Sequence, residues 1–224
     1  MAFPGRRAGL VSRRVASVLA LAIAATLVAA CGGAGTGTGD PAASGPVWVE
    51  LVTQPPMGSR ETAYDPPRPA PDIFLTDGDG RPFDLASLRG SPVLVYFGYT
   101  HCPDVCPTTL ADIREGRKQS GIDAKVVFVT IDPERDDAAA MKQYTGYYGA
   151  GYIGLTGTPG QIAETAAAWG ASYTKLPSDS ANGYSMGHSA DAYLVDPAGM
   201  LRHHIFFGAG SDLFAELITE VAGQ

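Results

Sequence analysis

Two stretches, Val93-Leu94-Val95-Tyr96-Phe97 and Val126-Val127-Phe128-Val129-Thr130-Ile131, are near-continuous runs of β-branched and aromatic residues. A strand with one wet face alternates apolar and polar side chains. These runs do not, so both belong to strands covered on both faces of a sheet. Such strands need helices above and below them, and helix signals follow each one. They span Pro107 to Gln119, closed by Gly121; Asp137 to Tyr148; Thr158 as N-cap with Pro159 in the first turn, running to Trp169 and stopped by Gly170; and Ser211 or Asp212 to Val221. Ala190–Val195 and Leu201–Phe207 flank Asp196-Pro197-Ala198-Gly199, a β-turn with proline and glycine in favoured places. The expected order is β-β-α-β-α-β-α-β-β-α. It describes an α/β sandwich with a central mixed sheet, flanking helices and a C-terminal β-hairpin.

The N-terminal third reads differently. Arg6, Arg7, Arg13 and Arg14 precede an apolar run from Val15 to Ala30, the charged and hydrophobic halves of an export signal. The run is shorter than the roughly 20 apolar residues that span a bilayer. It closes on Leu27-Val28-Ala29-Ala30-Cys31, which resembles the lipobox of bacterial lipoproteins. Residues 1–30 are therefore expected to be cleaved and Cys31 lipidated, leaving the protein on the outer face of a bacterial cytoplasmic membrane. Gly32 to Gly39 starts a flexible tether over 31–68, in which Val47–Val52 is a candidate edge strand and Pro55-Pro56 and Pro66-Pro67 interrupt any sheet. The folded domain is expected over 69–224, about 155 residues, enough for its own core. The formal charge of −7 becomes more negative once the four leader arginines are removed. With no basic cluster after them, a nucleic-acid partner is excluded. Attachment to an anionic membrane surface must come from the lipid.

Chemistry concentrates at the end of the first buried strand, in Tyr96-Phe97-Gly98-Tyr99-Thr100-His101-Cys102-Pro103-Asp104-Val105-Cys106-Pro107. Open α/β sheets place their sites at the carboxyl ends of strands, and a thioredoxin-like sheet is the commonest small form of this sandwich. Pro107 favours the first helical position and disfavours helical angles at Cys106, which makes Cys106 the expected N-cap and Pro103-Asp104 the corner of a turn. Both sulfurs then lie near a helix N-terminus, where thiolate is stabilised. Three residues separate the cysteines, one more than in the usual dithiol redox motif. That turn can close a disulfide or splay the sulfurs around an ion. A purely structural bridge over so short a loop would add little stability.

These residues resemble the Sco/SenC family of copper-binding, thioredoxin-like proteins, over about Pro71 to Val221. The resemblance is carried by the Tyr96–Pro107 segment, by Ile131-Asp132-Pro133-Glu134-Arg135-Asp136, by Gly154-Leu155-Thr156-Gly157-Thr158, and by His188-Ser189 leading into Ala192-Tyr193-Leu194-Val195-Asp196-Pro197. It implies that Cys102, Cys106 and His188 bind one copper ion, Cu(I) or Cu(II). It also implies that the protein takes copper from a donor protein and helps build the binuclear copper centre in a subunit of a haem–copper cytochrome c oxidase. The donor set makes chemical sense: soft thiolates select Cu(I), and an added imidazole lets the site accept Cu(II). Three protein ligands leave a fourth position open for exchange with a client.

Two other functions compete with the metallochaperone. One is a thiol–disulfide oxidoreductase that uses Cys102 and Cys106 to keep the oxidase cysteines reduced. The other, a peroxidase of the same fold, is weaker, because no peroxidase pattern surrounds Cys102. His188 is expected in a Ser-, Asn- and Gly-rich loop, Ser178–Gly187. The family usually has an acidic residue just before this histidine. Gly187 stands there, so a hydrogen bond that orients the ring is expected to be missing. Met186 is expected to pack in the loop rather than lend its thioether, and His101 to play a structural part rather than ligate. His203 and His204 point to opposite faces of one strand and are expected in solvent. Asp132 falls on the same carboxyl edge as the cysteines. It is expected either to orient the site or contact a partner, or to form a local ion pair in a capped turn, worth less than about 1 kcal/mol if exposed. Asp191, inside an expected strand, has no account from sequence.

Overall fold

Strand β4 (Val93–Gly98) is buried along its whole length, as its unbroken apolar run requires. It pairs in parallel with β5 (Lys125–Thr130), which pairs in parallel with β6 (Tyr152–Thr156). On its other side it runs antiparallel to β9 (Ala192–Val195), the first strand of a hairpin completed by β10 (Met200–Ile205). The computed structural model describes residues 58–177 and 183–223. Among these, the sheet also takes in β1 (Glu61–Pro69) and the hairpin of β2 (Phe74–Asp77) and β3 (Pro82–Asp84), in the order β1-β10-β9-β4-β5-β6-β2-β3. A separate two-stranded sheet joins β7 (Tyr173–Pro177) to β8 (Tyr184–His188).

Helices α1 (Val105–Ser120), α2 (Ala138–Gly146), α3 (Pro159–Trp169) and α4 (Ser211–Ala222) cover the sheet. Helix α3 is bounded as expected, with Thr158 as N-cap, Pro159 in the first turn and Gly170 ending it in the left-handed region at φ 74°; Gln161 adds a reciprocal capping box with Thr158. The buried set runs from Ile73 through Leu94, Phe97, Phe128 and Ile131 to Leu217 and Val221. Each such side chain contributes about 1.5–3 kcal/mol relative to an exposed one.

Several expectations need correction. Helix α1 begins before Pro107, with Asp104 as N-cap, so Cys106 lies inside the first turn rather than capping it. The N–H groups of that turn have no intrahelical acceptor, so a proline there costs no hydrogen bond. Helix α2 stops at Gly146 rather than Tyr148, because Tyr147 and Tyr148 donate three residues back, to Tyr144 and Thr145, in a tightened end. The folded domain does not begin at Pro69: Glu61–Arg68, assigned to the tether, lie in β1 against β10. This strand is at the sheet edge, and Pro66 and Pro67 fall where its register shifts between Ala63 and Arg68, the places where a sheet tolerates proline. The 178–187 loop is also shorter than expected, since Tyr184–Gly187 belong to β8. The export signal, Cys31 and Val47–Val52 lie outside the described residues. Among the described residues no helix is long and apolar enough to cross a membrane.

Candidate metal centre

The carboxyl end of β4, the first turn of α1 and the end of β8 converge on one point. Cys102, Cys106 and His188 bring two sulfurs and a ring nitrogen within 4.8 Å of one another. His188 Nε2 lies 3.6 Å from Cys106 Sγ. Metal–sulfur and metal–nitrogen bonds of roughly 2.3 and 2.0 Å at a tetrahedral angle span about that distance, so the donors fit a single ion of this class. Cys106 is fully buried and Cys102 nearly so, and both are free thiols rather than a bridged pair.

The two sulfurs are electrostatically unequal. The hydrogen bond from the Cys106 thiol pulls the Cys102 thiol down to about 3, helped by His188 and by the main-chain N–H groups of Cys106 and Asp104 at the helix start. Cys106 N–H donates to Cys102 Sγ at 3.4 Å. Cys106 moves the other way, because its proton is held by Cys102 and burial disfavours a second charge. A group whose pKa is lowered stays ionised until the pH falls through the lowered value. In the metal-free chain, alkylation of Cys102 by iodoacetamide, read by peptide mass spectrometry, should therefore stay nearly flat from about pH 8 to 5. An ordinary thiol would slow close to tenfold per unit below its pKa of ~8.5, and that slope at Cys102 would contradict the assignment.

His188 is the last residue of β8 rather than part of a loop. The Tyr96 and Tyr99 rings stand T-shaped to its ring at centroid distances of 6.5 and 6.0 Å. Its Nδ1 lies 2.8 Å from the Ser189 carbonyl oxygen, which can only accept. Nδ1 therefore donates to that oxygen, and Nε2 is the nitrogen turned to the sulfurs, the one that would ligate an ion through its lone pair in the neutral ring. The orienting hydrogen bond expected to be missing with Gly187 is supplied by the main chain. A side chain at 187 would press on Leu176 and Thr174 of the paired strand. Gly98 makes the site's closest approach: a Cβ there would stand 2.8 Å from Cys106 Sγ and 2.7 Å from the Phe128 ring.

The turn after β5 braces both sides of the centre. Asp136, fully buried, accepts from the Thr100 N–H at 2.9 Å, the Thr100 hydroxyl at 2.6 Å and the Thr130 hydroxyl at 2.7 Å. It thereby fixes the chain just before Cys102. His101 turns toward this carboxylate and the Thr100 hydroxyl, outside the donor cluster. Asp132 does pair locally with Arg135, but it is only 3% exposed, and it also accepts from the Tyr184 hydroxyl at 2.8 Å. Met186 packs against the core. The expectation of exposed histidines fails. His203 is 4% exposed, 3.2 Å from Glu61 on β1, and His204 is half-buried, stacked on Tyr193 and 2.9 Å from Asp191. Asp191 precedes β9 and also accepts the Phe207 N–H, which accounts for it.

The profile of the SCO1/SenC family matches residues 65–223. A putative copper-binding protein of Stutzerimonas stutzeri is 39% identical over 147 residues, covering 62% of this chain and 69% of that protein. The mitochondrial SCO2 homolog of Mus musculus is 36% identical over 154 residues, 66% of this chain, and the match spans only 59% of the mouse protein. The fold superposes on Arabidopsis thaliana ScoI with copper bound at 28% identity and TM-score 0.65, over 69% of this chain and 98% of that one. It also superposes on Bradyrhizobium japonicum ScoI with copper bound, at 34% identity and TM-score 0.61, over 68% and 98%.

Proposed function

The chain belongs to the SCO1/SenC family, and from that premise we propose that it is a membrane-anchored copper metallochaperone that matures the binuclear copper centre of a haem–copper cytochrome c oxidase. The observation that carries this reading is the donor set, two thiol sulfurs with an imidazole whose Nε2 is turned inward. Copper is cargo here. Cys102 meets the ion already ionised, Cys106 gives up its proton on binding, and His188 adds a neutral donor without changing the charge. The two thiolates leave one negative charge with Cu(I) and none with Cu(II), so one pocket holds either state. The protein supplies three donors, and a client side chain can enter at the fourth position and draw the ion away. In this reading residues 1–30 direct export, Cys31 carries the lipid on the outer face of the bacterial cytoplasmic membrane, and the segment from Gly32 to about Arg60 is the tether. A copper donor protein and the copper-centre subunit of the oxidase are the partners.

The unequal thiols favour one second reading, a dithiol reductant for the oxidase cysteines, since a low-pKa attacking sulfur beside a protonated partner suits thiol–disulfide exchange. Complementation separates the two. In the source bacterium with this gene deleted, oxidase copper content should fall. The wild-type chain should restore it, and His188→Ala and Cys106→Ser should not. Full restoration by His188→Ala would favour the reductant instead.

A further inference from the structure

The β7–β8 hairpin forms its own two-stranded sheet and is not hydrogen-bonded as a strand into the main one. Beyond its short chain links to α3 and β9, its seating, and with it the place of His188, therefore depends on contacts made through side chains. Resting on the copper reading above, we propose that Tyr184, held by Asp132 and Arg135, is the positioning residue that sets His188 over the cysteine pair. Tyr184, Met186 and His188 share one face of β8, because side chains repeat every second residue. A grip on the first of them fixes the last, roughly 13 Å along a stiff strand.

That grip is multiple. The Tyr184 hydroxyl donates to Asp132 Oδ1 at 2.8 Å, and Arg135 Nη1 donates to the Tyr184 carbonyl oxygen at 3.1 Å. The Arg135 guanidinium also lies over the Tyr184 ring, 3.7 Å from its centroid, while its Nε pairs with Asp132. Lys175 Nζ, bound to Glu134, covers the same ring at 3.9 Å. Burial and Asp132 push the Tyr184 phenol up to about 12, so it remains a donor at neutral pH. Asp132 and Arg135 are largely withdrawn from water, where a charged hydrogen bond counts for more than at the surface. The ring therefore lies against cations of both the β5 turn and β7, and the same turn holds the cysteine loop through Asp136.

The test compares the detergent-solubilised full chain as wild type, Tyr184→Phe, Tyr184→Leu and His188→Ala. It uses Cu(II) affinity by competition, the Cu(II) EPR spectrum, and amide hydrogen exchange of residues 184–188 without metal. Tyr184→Leu should weaken Cu(II) binding about 10–100-fold, move the spectrum toward that of His188→Ala and speed hairpin exchange while α1 is unchanged. Tyr184→Phe, which keeps the ring, should fall between. Cu(II) affinity of Tyr184→Leu within about twofold of wild type, beside a clear loss in His188→Ala, would overturn the positioning role and leave the copper reading intact. If wild-type copper binding ignores His188, the copper reading fails instead. Exchange then decides the seating: faster exchange in Tyr184→Leu supports the clamp, and unchanged exchange overturns it.

Discussion

Gly98→Ala is expected to destabilise the protein by about 1–3 kcal/mol and to weaken copper binding at least about tenfold. The added methyl would stand 2.8 Å from Cys106 Sγ and 2.7 Å from Phe128 Cε2, whereas ordinary contacts begin at 3.4 Å. Phe128 is fully buried against Tyr96 and Tyr144, so close packing leaves it little room. The β4 backbone is equally fixed, since Gly98 is in register with Thr130 of β5. The sulfur must therefore move by roughly 0.6 Å, well outside the ~0.2 Å tolerance of a metal–ligand distance. Thermal melts and copper titrations check this. A variant with wild-type values in both would show that the close approach is not what seats the sulfur.

The features legible in the sequence were those with strong local physics. The runs at Val93 and Val126 have no polar face, so their burial follows from composition alone. Thr158-Pro159 and Gly170 bound α3 through capping chemistry that depends on a few neighbouring residues. Cys102 and Cys106 were legible because a helix must follow the first buried strand. What stayed hidden depends on partners distant in sequence. The prolines of β1 argue against a strand until β10 offers it an edge. Asp191 has a role only because the β9–β10 hairpin brings His204 to it. Tyr184–His188 is short and adjoins a Ser-, Asn- and Gly-rich stretch, so its strand character rests on pairing with β7. Tyr184, Arg135 and Asp136 were missed as supports of the centre for the same reason: their partners lie on other elements. Gly187 suggested a missing carboxylate, and no residue-type pattern reveals that the Ser189 main chain takes over.

The second large effect concerns the donors themselves. Cys106→Ser replaces a fully buried soft donor with a hydroxyl that stays protonated at neutral pH, so copper of either oxidation state should be lost. His188→Ala should separate the two states. A pair of thiolates still suits Cu(I), whereas Cu(II) needs the imidazole, and its affinity should fall by about 100-fold or more, the upper end of what losing a well-placed contact at a metal site costs. The aromatic walls from Tyr96 and Tyr99 would then face an opening that water enters, which further disfavours a defined Cu(II) geometry.

The central claim is that these three residues form one copper site. It is tested most directly by measuring copper per chain and the thiolate-to-Cu(II) charge-transfer absorption of the reduced protein beside Cys102→Ser, Cys106→Ser and His188→Ala. The account predicts one copper per chain, with the absorption lost in all three variants. Stoichiometric Cu(II) retained unchanged in His188→Ala, or no stoichiometric copper in the wild type, would contradict it.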